Sequence, residues 1–338
     1  MLLAAKSVNA PSCGVSAMKA VLYPFRSDEP IVALVRDFPQ LQWAVAAAPG
    51  DIAREIGDAA ILVTSNRVCS AAYGEALRRH AGDTLRWIHF TSAGIDGGLR
   101  MGLPGWATVT NATGVKAAMV SEHALALLLA LVRRLPDPAA GQLARRWRHD
   151  DAMAAVGTLE GAVVCVVGLG SIGRAVARKL KAFDARVIAV SRAGTAGGAV
   201  DEVFGRERMA QALATADAVV ICTSSEARSH HLIDAAALAA LRPKAFLVNV
   251  ARGDIVDGAA LIAALQAGQL GGAALDVTEV EPLPPSSPLW GLPNVIISPH
   301  IAGAGSSGYP QQKALFGENL ARLAAGKPLR NVCRIPAA

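Results

Sequence analysis

Short apolar runs alternate along the chain with Ala- and Leu-rich stretches of helical period. Residues 19–23, 60–63 and 87–90 read as buried strands, punctuated by Pro24, Pro30, Pro39, Pro49 and Gly50. Residues 117–134 predict a long helix, with Ala124, Leu127, Leu128 and Leu131 on one face and Pro136 and Pro138 ending it. Apolar residues run almost all round this helix, which predicts burial between domains or between subunits. A more polar stretch with Trp147 follows, up to Gly157. From Ala162 the alternation is regular: residues 162–167, 186–190, 218–221, 246–250, 272–277 and 295–298 predict six strands with helices between them. A last helix is expected near residues 311–325. Continuous apolar strands separated by helices imply parallel sheets covered on both faces. The expected fold class is therefore α/β.

Composition adds a few exclusions. A length of 338 residues suits about two domains of roughly 150 residues each. At 52% hydrophobic and 18% charged, the chain is not a disordered one. Its most apolar stretch, residues 124–132, is closed by Glu122 and His123 on one side and Arg133 and Arg134 on the other. That is short of the roughly 18–20 apolar residues a spanning helix needs, so no membrane association is expected. The net charge of +6 comes from scattered arginines, which does not suggest a nucleic-acid arm. Cys13, Cys69, Cys165, Cys222 and Cys333 are odd in number, lie far apart and show no metal-ligand spacing. No disulfide framework and no metal are expected, and a cytoplasmic setting is the default. Residues 1–17 do not read as a signal peptide, because Lys6 follows the short apolar run rather than preceding it. They are expected to be a disordered extension.

Candidate chemistry starts at Gly168-Leu-Gly-Ser-Ile-Gly173, a GxGxxG directly after a strand and directly before a helix. In that context it is the mark of a dinucleotide-binding turn. Gly168 permits the tight turn, Gly170 lets a pyrophosphate approach the backbone, and Gly173 lets the helix pack on the strand. The first amides of that helix, with its dipole, would hold the phosphates. The next strand ends at Val190, followed by Ser191 and Arg192. An acid there would hold the ribose 2′-hydroxyl of NAD and repel a 2′-phosphate, whereas Ser and Arg can bind that phosphate. NADP is expected, with NAD as the alternative. Three polar residues then follow predicted strand ends: Arg252, Glu281 and His300. Together they suit reduction of a 2-oxo acid. Arg would bind the carboxylate and polarise the ketone, His would protonate the oxygen, and Glu would orient the imidazole.

Further stretches stand out in order: residues 85–96, Val109-Thr-Asn-Ala-Thr-Gly-Val-Lys-Ala-Ala-Met-Val-Ser-Glu-His123, the glycine loop, Val248-Asn-Val-Ala-Arg-Gly-Asp-Ile-Val-Asp257, Ala274-Leu-Asp-Val277 with Glu281-Pro282, Ser298-Pro-His-Ile-Ala-Gly303 and Gly317-Glu-Asn-Leu320. In these the chain resembles the D-isomer-specific 2-hydroxyacid dehydrogenase family. The resemblance implies two Rossmann-like, doubly wound domains with a cleft between them. Residues 18–117 and 302–338 would form the substrate-binding domain, and 118–301 the dinucleotide-binding domain. It implies that Arg252, Glu281 and His300 are catalytic, and that amides around Ala93 and Gly94 hold the substrate carboxylate with Arg252. Ser171 and Ile172 would lie at the pyrophosphate, Thr223 and Ala251 along the cofactor, and Asp276 at the nicotinamide carboxamide. A homodimer through the 117–134 region is implied too. Besides the missing acid after Val190, two further departures stand out. Ser224 occupies a place where the family usually has Pro, and Asp184 one where it usually has Gly; Asp tolerates the left-handed turn expected there. The substrate expectation is glyoxylate or hydroxypyruvate. The alternatives are a hydroxyphenylpyruvate-type or other 2-hydroxyacid dehydrogenase and, more distantly, a non-enzymatic dinucleotide-sensing corepressor. Phosphoglycerate and formate dehydrogenases are disfavoured, the first by the Ser191-Arg192 pair and the absence of room for a regulatory domain, the second by Glu281 itself.

Overall fold

Every ladder between named strands is parallel. The computed structural model describes residues 18–26, 30–147, 156–192, 198–224, 229–305 and 307–335. The expected extension at residues 1–17 lies outside them. The chain divides into two compact units, one of residues 116–305 and one gathering the residues on either side of that span. Among the described residues no helix is long and apolar enough to cross a membrane.

The first unit carries a five-stranded sheet in the order β2-β1-β3-β4-β5. Its strands are β1 (Lys19–Tyr23), β2 (Gln42–Val45), β3 (Ile61–Thr64), β4 (Trp87–Phe90) and β5 (Thr108–Thr110). β3 and β4 are buried along their whole length, as expected of central strands covered on both faces. The helix Tyr309–Ala324 packs here through Phe316, whose ring stacks on Trp87 at 5.0 Å between centroids.

The second unit holds seven strands in the order β12-β11-β10-β9-β6-β7-β8. They are β6 (Val163–Val167), β7 (Arg186–Val190), β8 (Glu202–Phe204), β9 (Ala218–Ile221), β10 (Phe246–Asn249), β11 (Gly272–Leu275) and β12 (Val295–Ile297). The order reverses between β6 and β9, which makes their boundary a switch point of a doubly wound sheet. Asp184 takes the left-handed turn before β7 with φ +55°, as its residue type allows.

The helix Ala117–Val132 differs from its sequence reading. It packs against the helix Ser171–Lys181 and strands β10 and β11, so its apolar side lies in the second unit's own core. Its outward positions, Ala118, Glu122 and Ala126, are small or polar. Nor is it ended by Pro136 and Pro138. It stops at Val132, Arg134 turns left-handed at φ +52°, and Pro136 opens a further helix, Pro136–Leu143. Proline suits a first helical position because its missing N–H has no acceptor there anyway.

Candidate active site

The register of the second sheet aligns the ends of its strands. Ile297 pairs with Leu275, Leu275 with Asn249, Asn249 with Ile221, Ile221 with Val167, Val167 with Val190, and Val190 with Phe204. These are the last residues of all seven strands. Whatever follows them emerges along one edge, where open α/β sheets bind their ligands. Gly168, Ser191, Thr223, Arg252, Asp276 with Glu281, and His300 all follow that row.

At the switch point, Gly168 has φ +99°, and a Cβ there would lie 2.7 Å from the Thr223 Cα. A Cβ on Gly173 would overlap the Gly168 carbonyl oxygen and press on Val166. A Cβ on Gly170 would meet nothing within 4 Å. Two glycines are thus demanded by close packing, and the third leaves the turn open where a pyrophosphate would approach. Gly170 caps the helix Ser171–Lys181, whose first amides have no acceptor inside the helix. The residues present fit a dinucleotide. Gly173→Ala should cost about 1–3 kcal/mol through overpacking, and should weaken dinucleotide binding by about tenfold or more. Fluorescence titration of the folded variant with NADPH checks this, and unchanged affinity would remove the turn from the binding site.

The trio comes together within this unit. His300 Nδ1 lies 2.7 Å from Glu281 Oε2, and the Thr278 amide donates to Glu281 Oε1 at 3.3 Å. Burial pushes the Glu281 carboxyl up, but the His300 hydrogen bond and charge, the Thr278 amide and the Arg252 charge outweigh it and hold the carboxyl below its ordinary range. The Arg252 turn is fixed from both sides. Asn249 Oδ1 accepts from the Ala251 amide at 3.0 Å, and Asn249 Nδ2 donates to the Arg252 carbonyl at 2.9 Å. At Gly253 a Cβ would run into the Thr278 carbonyl, so the Arg252 and Glu281 loops lie against each other.

Asp276 is 2% exposed, and its carboxylate holds the His300 loop. It accepts from the Ser298 hydroxyl and from the amides of Ile301 at 2.9 Å and Ala302 at 3.0 Å. Its own carbonyl accepts the His300 amide at 2.8 Å, where His300 sits at φ +55°. His123, from the helix Ala117–Val132, places Nε2 2.8 Å from Ser298 Oγ and 3.4 Å from Asp276 Oδ1. Sequence reasoning did not assign His123 or Ser298. They lie 175 residues apart, and only the packing of that helix on the sheet brings them together.

Ala93 and Gly94 belong to the first unit, in the loop after β4. The Ala112 amide donates to the Ser92 carbonyl at 3.0 Å, and Asn111 Nδ2 donates to the Ala93 carbonyl at 2.7 Å. A planar trans peptide points its N–H opposite to its C=O. Pinning those two carbonyls therefore fixes the direction of the Ala93 and Gly94 amides. Of the loop around Ser224, residues 225–228 lie outside the described residues, as do 193–197 after Arg192.

A family model, D-isomer specific 2-hydroxyacid dehydrogenase, NAD binding domain, matches residues 125–302. The chain belongs to the D-isomer-specific 2-hydroxyacid dehydrogenase family. As a member, it is an NAD(P)-dependent oxidoreductase. It is 31% identical to a solved family protein from Aeromonas salmonicida, with a TM-score of 0.82 over 94% of this chain and 99% of that one. The NADPH-dependent glyoxylate/hydroxypyruvate reductase of Sinorhizobium meliloti, solved with NADP and sulfate, is 25% identical, with a TM-score of 0.81 over 94% and 98%. The glyoxylate reductase of Thermofilum pendens is 33% identical over 225 residues, 65% of this chain and 66% of that protein.

Proposed function

We propose that this dehydrogenase reduces a small 2-oxo acid, glyoxylate or hydroxypyruvate, with NADPH preferred over NADH. The observation that carries the reading is the 2.7 Å Glu281–His300 pair beside the Arg252 turn, on the same sheet edge as the glycine turn. Bound NADPH supplies the hydride. The Arg252 guanidinium pairs with the substrate carboxylate and polarises the keto group. With Nδ1 committed to Glu281, His300 delivers a proton from Nε2 to the ketone oxygen. Glu281 fixes the ring's orientation through its 2.7 Å contact with Nδ1. In the first unit, the Ala93 and Gly94 amides, whose direction the Ser92 and Ala93 carbonyl contacts fix, are offered as carboxylate donors. Ser171, Ile172, Thr223 and Ala251 would hold the cofactor, and Asp276, which holds the His300 loop, would accept from its carboxamide. Named relatives that reduce glyoxylate support the substrate class.

The cofactor preference rests on the end of β7, where Ser191 and Arg192 stand and no carboxylate does. Arg192→Asp should lower the ratio of NADPH to NADH catalytic efficiencies by about ten- to a hundredfold, the scale of a charge-assisted hydrogen bond. An unchanged ratio would remove Arg192 from 2′-phosphate recognition. The reading as a whole is tested by initial rates of NADPH and NADH oxidation against glyoxylate, hydroxypyruvate, pyruvate and hydroxyphenylpyruvate. Absence of turnover in folded, dinucleotide-binding protein would sink it.

A homodimer is part of the proposal. Trp147 is 94% exposed and Leu143 88% exposed, beyond the helix Ala117–Val132. These two side chains are the apolar surface the proposal assigns to a partner copy. Sedimentation of the wild type and Trp147→Ser would test this, with a shift towards monomer expected in the variant.

A further inference from the structure

The second unit gathers a set of side chains that the reaction does not use. His230, His231 and Glu279 each offer one ligand atom, and these atoms all lie within 4.8 Å of one another. His231 Nε2 is already 2.9 Å from Glu279 Oε1. The two imidazoles stack at 4.0 Å between centroids, 27° from parallel. Both sides of the cluster are anchored. His231 turns left-handed at φ +47° and donates its amide to the Asp254 carbonyl at 2.8 Å, and the Ile233 amide bonds to the Ile255 carbonyl at 3.0 Å. Across from them, Glu279 Oε2 accepts the Gly258 amide at 3.3 Å, at the start of the helix Gly258–Gln266.

We propose that His230, His231 and Glu279 bind a divalent d-block cation of the Zn²⁺ type, and that the bound ion restrains residues 277–281 and lowers turnover. Two imidazole nitrogens with one carboxylate suit a borderline cation rather than Mg²⁺ or Ca²⁺, which prefer oxygen. A tetrahedral ion with bonds near 2.0–2.1 Å needs donors about 3.3 Å apart, with water as the fourth ligand. The His231–Glu279 pair, at 2.9 Å, needs to open by only a few tenths of an ångström to reach that spacing. His230 is exposed, and rotation of its side chain closes the remainder. The surroundings are negative: Glu279, Asp257 and Asp254 all favour positive charge at His231. On binding, the ion takes the place of the proton bridging His231 and Glu279, and that proton leaves to water.

The link to catalysis is the short chain between Glu279 and Glu281. The Thr278 amide holds Glu281 Oε1, and the Thr278 hydroxyl donates to the Val280 carbonyl at 2.8 Å. An ion gripping Glu279 against the histidine turn fixes this segment, and with it the carboxylate that aligns His300. The effect on turnover rests on the role given to Glu281 above; binding itself does not.

The test uses the full chain after chelator treatment. Calorimetric titration with ZnCl₂ should show one site whose affinity falls by about tenfold or more in His230→Ala and in Glu279→Gln. Amide hydrogen exchange across residues 277–281 should slow on Zn²⁺ addition in the wild type and not in His230→Ala. NADPH oxidation by the wild type should fall with Zn²⁺ and recover with EDTA, while His230→Ala keeps its rate. Equal Zn²⁺ affinity in all three proteins overturns the site. Unchanged exchange, or undiminished turnover of the zinc-loaded wild type, overturns the restraint. A metal-free wild type that turns over no 2-oxo acid would fail the functional reading instead, and calorimetry and exchange would still decide this one.

Discussion

His300→Ala should lower turnover by about 10²–10⁴-fold, the usual contribution of a positioned general acid. Dinucleotide binding should survive, because the glycine turn follows β6 and His300 follows β12, four strands away across the sheet. Steady-state NADPH oxidation gives the first quantity and fluorescence titration of the cofactor the second. Glu281→Gln should be milder than His300→Ala, since an amide oxygen can still accept from Nδ1. The double variant should be no slower than His300→Ala alone, because a residue that acts only through the imidazole has nothing left to orient once the imidazole is gone. A His300→Ala enzyme within tenfold of the wild type would show that protonation comes from elsewhere. An additive double variant would show that Glu281 acts on substrate or cofactor directly.

The placing of Arg252, Glu281 and His300 was legible because each follows a strand of continuous apolar sequence, and parallel strands deliver their ends to one edge. The glycine loop was legible for the same reason, with the added constraint that Gly168 and Gly173 are packed too tightly for any side chain. The strands that went unread are β2, β5 and β8, and all three are sheet edges. Such strands are short and paired on one side only, so their sequences lose the apolar run that marks a central strand. Gln42–Val45 has no fully buried residue, and Glu202–Phe204 has one. The long helix misled for a different reason. Apolar residues all round suggest two partners, but a helix lying on β10 and β11 with a second helix beside it covers most of its circumference within one unit. His123 and the His230–His231–Glu279 cluster were out of reach, since each depends on a contact between distant segments, 175 residues apart in one case and 48 in the other.

Acid should destabilise the first unit through one residue. His89 lies on β4 with no exposed surface, between Thr110 and Gln312. Gln312 Nε2 stands 2.9 Å from His89 Nε2, so that nitrogen accepts, and Nδ1 carries the hydrogen towards Thr110 Oγ1 at 2.9 Å. Thr110 Oγ1 also accepts from Trp87 Nε1 at 2.8 Å. The network is satisfied by a neutral imidazole alone; a second proton would face the Gln312 amide hydrogens. Burial accordingly drives the His89 pKa from 6.5 down to about 3. The sign follows from proton counting. Between those two values the unfolded chain binds a proton that the folded chain refuses, so stability is fully present above pH 6.5 and declines as pH falls towards 3. At about 1.4 kcal/mol per unit, the whole loss is on the order of 4–5 kcal/mol. Other groups titrate in the same window, so the informative quantity is a difference. Urea unfolding read through the buried Trp87 should give the wild type a pH slope steeper than that of His89→Gln by up to about 1.4 kcal/mol per unit between pH 6.5 and 3. Parallel slopes would mean that His89 accepts a proton in the folded protein as readily as in water. The Gln312 and Thr110 contacts would then have to rearrange to admit a cation, and β4 would no longer be the rigid centre on which the Ala93–Gly94 loop depends.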